Sequence, residues 1–441
     1  MKRFVGREFR AAGAGRSQLG DVKKERGTRV LIYSHDSFGL GHLRRCREIA
    51  HTLVEADPDL SVIILSGSPI IGSFGFRSRV DFVRIPGVIK LRNGDYTSLN
   101  LHIDIEETLA IRSSIILHTA EFYDPDLFIV DKEPLGLRGE VEDTLKFLKK
   151  RGTPCILGLR DVMDDPELLA QEWERKHTAP ALEEYYDDIW VYGLPEVCNP
   201  LDGITLSERV TEKMSYTGYL RRTSEGAGDM KPVLEKIAED EPYLLVTVGG
   251  GGDGENIIDW VLRAYEEDKT LPYPALIVLG PFMGSELQYD FLRRVSNLDN
   301  VEALTFDAQM ESLVKGAVGV VGMGGYNTFC EVLSFDKRAL IVPRTVPRME
   351  QFIRASRAQD MGLLTMLEYH EDAPAQEMAS ALHHLSKQPK PSEAFVEGLL
   401  DGQSNVIRLA QKWFRHRREV RTECSSVTEA KITPLRQHRM S

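Results

Sequence analysis

Two glycine-rich turns in the second half of the chain have residue types that could do chemistry. Residues 249–254 read Gly-Gly-Gly-Gly-Asp-Gly after a predicted strand, and three more glycines closely follow the apolar run of residues 318–321. A glycine turn between a strand and a helix leaves backbone N–H groups free to face an anion, and it lets a ligand approach the backbone closely. The turns therefore predict a diphosphate site, to which we assign Gly250, Gly251, Gly252, Gly324 and Gly325.

A carboxylate and a carboxylate–amide pair follow the second glycine turn. Glu331 lies on the second turn of a helix predicted to begin near Tyr326, where it could accept hydrogen bonds from a ribose diol. Glu350 and Gln351 begin a later predicted helix and could bind sugar hydroxyls. The alternatives are a surface glutamate for Glu331 and, for Glu350, an acid favoured at a helix N-terminus. Taken together, these parts look like a nucleotide-sugar site, which we call the donor site. We also assign Phe306, Asn327 and Thr328 to it.

A histidine follows a second kind of glycine turn, near the start of the chain. His42 comes after Gly39-Leu-Gly41, between a short apolar strand at residues 29–33 and a helix predicted over residues 43–55. A histidine there could lie in a cleft and take a proton from a hydroxyl group. The alternative is a histidine that caps or packs the helix, with Gly39 and Gly41 serving only the turn. We assign His42 to catalysis and both glycines to the donor site.

Charged residues also stand at the ends of predicted strands in the first half of the chain. Asp131 follows the strand at residues 127–130, and Arg160 and Asp161 follow the strand at residues 155–159. We assign Asp131 to catalysis and Arg160 and Asp161 to binding of the acceptor, since residues at these strand ends could contact an acceptor or help to orient His42. Capping of the helices that follow is the alternative for all three.

The order of elements that must position these residues indicates an α/β fold. Strands and helices alternate along both halves, which is typical of parallel sheets with helices on both faces. We predict two doubly wound, Rossmann-like domains with a cleft between them, where ligands lie beyond the carboxyl ends of the strands. The expected boundaries are a basic mobile tail at 1–28, an acceptor domain at 29–216, a linker at 217–232, a nucleotide-sugar domain at 233–392, a closing helix at 393–418 and a mobile tail at 419–441.

The composition narrows the function classes. The chain has 441 residues, 42% of them hydrophobic, and a net charge of −12, which argues against a dedicated nucleic-acid binder. Its five cysteines form no CxxC pair, so neither a zinc site nor a disulfide framework is indicated. No Asp-x-Asp pair stands at a strand end in a way that suggests a cation site, and we predict neither metal nor cofactor. A nucleotide-sugar would be a substrate.

The ends of the chain bear on its location. The first 28 residues lack the apolar core of a signal peptide, and no apolar run reaches the roughly 18 residues of a membrane span. We therefore expect a cytoplasmic protein. Basic residues are concentrated near both termini, so contact with the inner face of the membrane is an open alternative to solvated tails.

Four short stretches of the sequence resemble motifs of a known enzyme family. They are residues 39–42, which form the Gly-x-Gly-His turn, and residues 322–331, 339–343 and 350–355. Across roughly residues 29–415 the chain resembles the GT-B glycosyltransferases, in particular the peptidoglycan N-acetylglucosaminyltransferase group. The resemblance implies a UDP-sugar donor bound mainly by the C-terminal domain, with Glu331 on the ribose and the Glu350–Gln351 pair near the sugar. It implies transfer with inversion, without metal, to an acceptor hydroxyl of a lipid-linked, glycan or small molecule.

Residues 39–46 also resemble the nucleotide-sugar hydrolase of pseudaminic acid synthesis, which shares the fold. In that family the corresponding histidine acts on water. Two alternatives to a transferase therefore stand at this point: a hydrolase that uses His42 to activate water, and a catalytically silent protein that binds nucleotide-sugars.

Overall fold

The computed structural model describes residues 26–35, 40–91, 95–224, 234, 236–238, 241–250, 252–307 and 309–432. Most of the predicted N-terminal tail, half of the predicted linker and the last nine residues of the predicted C-terminal tail lie outside these ranges. No helix among the described residues is both long enough and apolar enough to cross a membrane.

The first half of the chain forms a parallel sheet with helices between its strands. Its strands are β1 Arg29–Ser34, β2 Ser61–Ser66, β3 Val80–Arg84, β4 Val88–Lys90, β5 Tyr96–Ser98, β6 Leu127–Asp131, β7 Cys155–Arg160, β8 Asp188–Tyr192 and β9 Met214–Tyr216. Its helices are α1 Gly41–Ala56, α2 Ile105–Tyr123, α3 Glu142–Lys150, α4 Pro166–Arg175, α5 Ala179–Glu184 and α6 Glu208–Glu212. The sheet order is β3-β2-β1-β6-β7-β8-β9, and β4 and β5 pair as a separate antiparallel hairpin.

The second half repeats this architecture with six strands. They are β10 Leu244–Thr247, β11 Ala275–Val278, β12 Val301–Leu304, β13 Gly319–Gly322, β14 Arg338–Ile341 and β15 Thr365–Met366, in the order β12-β11-β10-β13-β14-β15. The helices are α7 Glu255–Glu267, α8 Ser285–Ser296, α9 Met310–Gly316, α10 Tyr326–Ser334, α11 Glu350–Asp360 and α12 Ala375–Leu385. Short 3-10 helices span Ile71–Ser73, Leu137–Gly139 and Pro391–Glu393.

The central strands are buried along their whole length. All five residues of β6, all four of β10 and all four of β13 are buried, because helices cover both faces of each sheet. This explains why the apolar runs in the sequence predict these strands well. The predicted fold class, two Rossmann-like domains of GT-B type, is confirmed.

Each sheet has one point where the strand order reverses. In the first sheet β1 and β6 are neighbours, and in the second β10 and β13 are neighbours, so successive connections leave in opposite directions. A crevice opens beyond the carboxyl ends of the strands at such a point, and ligands of open α/β sheets bind there. The turns that hold His42 and both glycine clusters follow these strands.

The last helix differs from its prediction. Helix α13 spans Gly402–Ile432, so it begins later than residue 393 and continues past residue 418 into the predicted mobile tail. Its start is fixed by close packing, because a Cβ on Gly402 would lie 2.6 Å from the carbonyl oxygen of Tyr219. The helix packs back on the N-terminal domain, where Trp413 Nε1 donates to Asp188 Oδ2 at 3.0 Å.

Candidate active site

A cleft of about 1160 Å³ separates the two domains, and residues of both line it. Asp131, Asp161 and Gly324 do not line this cleft. Gly39 and Gly251 lie outside the described residues. The predicted site residues that line it are Gly41, His42, Arg160, Gly250, Gly252, Phe306, Gly325, Asn327, Thr328, Glu331, Glu350 and Gln351.

The N-terminal side of the cleft holds a buried His–Asp–Arg arrangement. His42 lies at the start of α1, and its Nδ1 is 2.5 Å from Oδ2 of Asp131, the last residue of the neighbouring strand β6. Arg45, one helical turn further along α1, donates from Nε to Asp131 Oδ1 at 2.8 Å. Asp131 is 2% exposed and Arg45 is 1% exposed. The sequence analysis assigned Asp131 to catalysis without fixing its partner, and it missed Arg45.

The charges of this arrangement fix the state of the imidazole. Burial by itself would raise the pKa of Asp131, but the Arg45 guanidinium and His42 hold it well below its usual range. The carboxylate is therefore ionised and accepts a hydrogen bond from the Nδ1–H group of His42. Burial lowers the pKa of His42 to about 4, against the opposing effect of Asp131. At neutral pH the imidazole is uncharged, and its Nε2 lone pair is free to accept a proton.

The C-terminal side presents two glycine-rich backbone turns beside its side chains. Gly249 and Gly254 have φ of 67° and 97°, which is the left-handed region that glycine adopts most readily. Gly254 is the N-cap of α7 and Gly325 that of α10, and neither helix has a side-chain cap. The two turns lie side by side, because Thr247 of β10 is in register with Gly322 of β13. Two uncapped helix N-termini at one edge favour an anion such as a diphosphate.

The two glycines of the second turn have different roles. Gly324 has φ of 74°, and a Cβ there would lie 2.7 Å from Cγ2 of Ile341. Its carbonyl accepts from Arg354 Nη1 at 3.0 Å, so Gly324 shapes the turn from behind the cleft wall. A Cβ on Gly325 would meet nothing within 4 Å, and Gly325 lines the cleft. Gly325 is therefore the one placed for close approach of a ligand.

The carboxylate predicted to bind ribose already has a partner from the other domain. Glu331 is 1% exposed and accepts a hydrogen bond from Arg44 Nη2. The same nitrogen donates to Glu311 at 2.7 Å. Burial raises the pKa of Glu331, and the Arg44 guanidinium opposes that effect. A ribose that binds Glu331 would therefore share the carboxylate with Arg44 or take its place.

The predicted sugar-binding pair is buried and partly engaged. Arg344 donates from Nη2 to Glu350 Oε1 at 2.8 Å and from its backbone nitrogen to Gln351 Oε1 at 3.1 Å. The other oxygen of Glu350, Oε2, is buried and has no hydrogen-bond partner among the described residues. Asn327 instead joins the domains, because its Nδ2 donates to the Gly41 carbonyl at 3.2 Å.

Arg160 and Asp161 are adjacent in sequence but have different surroundings. Asp161 is completely buried and accepts from Arg354 Nε and Nη2, both at 2.6 Å, and from the Tyr219 hydroxyl at 2.8 Å. With its oxygens bound in this way, Asp161 connects β7 to α11 of the other domain, and its position does not support the predicted contact with an acceptor. Arg160 does line the cleft.

Several cleft residues were missed from the sequence. Arg45 could have been found from its spacing, since residues three apart on a helix share a face with His42. His35 is 7% exposed, and its ring centroid lies 5.8 Å from that of His42. Lys132 and Arg44 also line the cleft. Strand-end position was the available signal for His35 and Lys132.

Comparison with known proteins agrees with this geometry. Residues 244–395 match the glycosyltransferase family 28 C-terminal domain. An uncharacterized glycosyltransferase of Methanosarcina mazei is 25% identical over 354 residues, which are 75% of this chain and 83% of the relative. The structure of glycosyltransferase VinC in complex with dTDP aligns with a TM-score of 0.56 at 15% identity, covering 89% of this chain and all of VinC. Acinetobacter baumannii MurG aligns with a TM-score of 0.53 at 13% identity, covering 87% of this chain and 99% of MurG.

The matched domain contains both glycine turns, Glu331 and the Glu350–Gln351 pair, and most of the chain shares the fold of these solved glycosyltransferases. Residues 244–395 therefore form a glycosyltransferase family 28 C-terminal domain, and the chain is a GT-B glycosyltransferase.

Proposed function

We propose that this chain moves a sugar from a nucleotide-sugar, a UDP-sugar, to an acceptor hydroxyl, with inversion and without a metal ion. The observation that supports this most strongly is the neutral His42 held by buried Asp131 in the wall of a cleft whose opposite wall carries two glycine turns. One side of the cleft offers a base for a hydroxyl, and the other offers a binding surface for a diphosphate.

The donor lies along the C-terminal wall in this proposal. Its diphosphate contacts the N–H groups of the two glycine turns at the N-termini of α7 and α10. The ribose hydroxyls replace Arg44 on Glu331, and the sugar hydroxyls reach Glu350 and Gln351. The preference for uracil rests on the family resemblance, and VinC was solved with dTDP, so the base needs a direct test.

The acceptor approaches from the N-terminal wall. His42 Nε2 removes the hydroxyl proton as the acceptor oxygen attacks the anomeric carbon. The bond from that carbon to the diphosphate oxygen breaks on the opposite face, which inverts the configuration. The nucleoside diphosphate leaves with its negative charge stabilised by backbone N–H groups, in a cleft that excludes water as it closes.

A thermal-shift screen with UDP, GDP, dTDP and CMP and their sugars tests the donor. A ligand at about 100 times its dissociation constant should stabilise the fold by about 2.7 kcal/mol. We expect a shift with UDP compounds that is lost in Glu331→Ala and kept in a matched helix variant, Glu377→Ala. No shift with any nucleotide contradicts the proposal.

Release of nucleoside diphosphate, followed with and without lipid-linked, glycan and small-molecule acceptors, tests the reaction. Transfer requires that release depends on an acceptor. Equal release in its absence identifies a hydrolase, and tight binding without any release identifies a silent binding protein. Unchanged turnover in His42→Ala contradicts the assigned base.

A further inference from the structure

Two cations stand next to each other on the N-terminal wall of the cleft. Lys132 follows β6 directly after Asp131, and Arg160 ends the neighbouring strand β7. Asp131 is in register with Gly158, so the two strand ends are adjacent. Both side chains line the cleft. Neither has a role in the mechanism derived so far.

These two cations differ from most of the others that line the cleft. No hydrogen bond or ion pair joins the guanidinium of Arg160 to another described residue, and its Nε is buried without a hydrogen-bond partner among them. The carboxylate found within 4 Å of Lys132 Nζ is that of Glu133, at 3.7 Å, which is beyond hydrogen-bond distance. In contrast, carboxylates of the described residues bind Arg44, Arg45, Arg138, Lys176, Arg344 and Arg348.

The backbone at Lys132 is held in an uncommon conformation. Its φ is 69°, in the left-handed region that is unfavourable for a residue with a Cβ. The conformation is fixed because the Lys132 N–H donates to the Gly158 carbonyl at 2.8 Å. Strain of this kind is concentrated at functional sites, where the surrounding structure holds it.

The electrostatic surroundings leave both charges undercompensated. Burial lowers the pKa of Lys132 to about 8, because Glu133 offsets only part of that effect. Burial also lowers the pKa of Arg160 to about 10, although Glu350 raises it. Both side chains are partly buried. A partly buried cation without a hydrogen-bonded counter-charge is unfavourable, and an anionic ligand between the two would offset that effect.

We propose that Lys132 and Arg160 form a second anion subsite, which receives a phosphate or carboxylate group carried by a substrate. The subsite is separate from the diphosphate site on the C-terminal glycine turns, and it rests on the function proposed above. Lys132 is close enough to His42 to lower its pKa, and Glu350 is the leading charge acting on Arg160. The anion therefore lies between base and donor sugar, and either the acceptor or the transferred sugar can carry it.

Titration of inorganic phosphate into the full chain, followed by calorimetry, tests the subsite directly. The chain is first saturated with the nucleoside diphosphate that the thermal-shift screen identifies, so that the glycine-turn site is filled. We expect wild-type protein to bind phosphate, and Lys132→Gln and Arg160→Gln to weaken binding by about tenfold or more, as for loss of a charged hydrogen bond.

Arg175 supplies the matched control, because it lines the same cleft but is exposed to solvent. Arg175→Gln should change phosphate affinity by less than about twofold, as expected for a solvated charge. An unchanged thermal shift with nucleotide shows that a variant is folded. If Arg160→Gln does not fold, Arg160→Lys replaces it, and this variant should retain most of the phosphate binding because it keeps the charge. No phosphate binding by wild-type protein, or an equal loss in the Arg175 variant, overturns the proposal.

Two further arms identify the source of the anion. If the sugar carries it, a nucleotide-hexuronate binds more tightly than the matching nucleotide-hexose, and Arg160→Gln removes the difference. If the acceptor carries it, the two donors bind alike and phosphate competes with the acceptor in the transfer assay. The subsite alone would be contradicted if the chain transfers sugar between neutral substrates and the rate changes neither with added phosphate nor in the Lys132 and Arg160 variants. Phosphate binding without transfer to any acceptor would contradict the proposed function alone.

Discussion

The two walls of the cleft present different kinds of functional group. On the N-terminal wall, the working groups are side chains, and a buried carboxylate, Asp131, fixes both His42 and Arg45. On the C-terminal wall, the working groups are mostly backbone N–H groups, exposed by glycines at the starts of α7 and α10. Both walls arise from the same fold element, a turn after the carboxyl end of a parallel strand.

The difference shows how each wall can fail. A side-chain site depends on the identity and ionisation of a few residues, so a single isosteric change can disable it. A backbone site tolerates many side chains but not an added Cβ where the chain adopts a left-handed conformation or touches a ligand. Substitutions on the two walls should therefore have effects of different kinds.

The largest effect is expected from His42→Ala. Loss of a general base should lower kcat by about 10²- to 10⁴-fold, while the nucleotide affinity, which belongs to the other wall, stays unchanged. Steady-state kinetics and nucleotide binding would be compared with His118→Gln on the exposed side of α2. A parallel loss of nucleotide affinity would show that the two walls do not act independently in catalysis and nucleotide binding.

The pH profile sharpens the same assignment. The base must be neutral, and burial lowers the pKa of His42 to about 4. The value of kcat/KM should therefore persist as the pH falls below 6.5, the ordinary value for histidine, and decline only towards pH 4. An acidic limb near 6.5 would show that an unburied histidine, or another group, acts as the base.

Asp131→Asn should have the next largest effect, and it acts on stability as well as rate. The variant leaves Arg45 buried without an anion, which should lower the free energy of unfolding by about 3–5 kcal/mol. Asp161→Asn is the matched control, because Arg354 would be left in the same condition. Thermal unfolding should respond to both variants, but only Asp131→Asn should change the pH profile, since only Asp131 contacts His42.

Gly324→Ala and Gly325→Ala distinguish effects on stability from effects on ligand binding at the C-terminal wall. Gly324→Ala places a Cβ 2.7 Å from Ile341 at φ of 74°, and strain in this region alone costs about 1–2 kcal/mol, so the melting temperature should fall. Gly325→Ala places its Cβ in open space in the cleft, so it should leave the melting temperature unchanged and raise KM for the donor. Equal stability of the two variants would contradict this division.

Glu331→Ala tests the ribose contact at a smaller scale. Loss of a charged hydrogen-bond acceptor should raise the donor Kd by about tenfold, with little change in kcat once donor is saturating. Isothermal titration with the nucleoside diphosphate measures this. An unchanged Kd would mean that the ribose lies elsewhere and that Glu331 serves only the ion pair with Arg44.

Arg44→Ala should produce the smallest change, and in the opposite direction. Removing the cation that occupies Glu331 should tighten nucleotide binding by roughly two- to fivefold, the scale of a partly exposed ion pair. The expected lower Kd would be measured beside the Glu331 variant. Weaker binding would show that Arg44 contacts the ligand instead of competing with it.

Much of the architecture and of the C-terminal wall could be predicted because both depend on local patterns in short stretches of the sequence. Buried runs such as residues 318–321 predict strands, and glycine clusters predict turns that side chains would strain. His42 was assigned to the site for the same reason, from the Gly-x-Gly turn that precedes it, and it lines the cleft. The late start of α13 could not be predicted, since it is set by the contact of Gly402 with Tyr219, far away in sequence.

The sequence by itself determined which segments form strands, turns and helices, and which polar residues stand at strand ends. Only the tertiary structure decided how those residues pair. It brought Arg45 to Asp131, placed Arg44 on Glu331 across the cleft, and bound Asp161 to Arg354, while the Nε of Arg160 is left without a hydrogen-bond partner among the described residues. Local conformation depends on neighbouring residues and burial, whereas these pairings depend on strand order and on the docking of two domains, which no short stretch of sequence encodes.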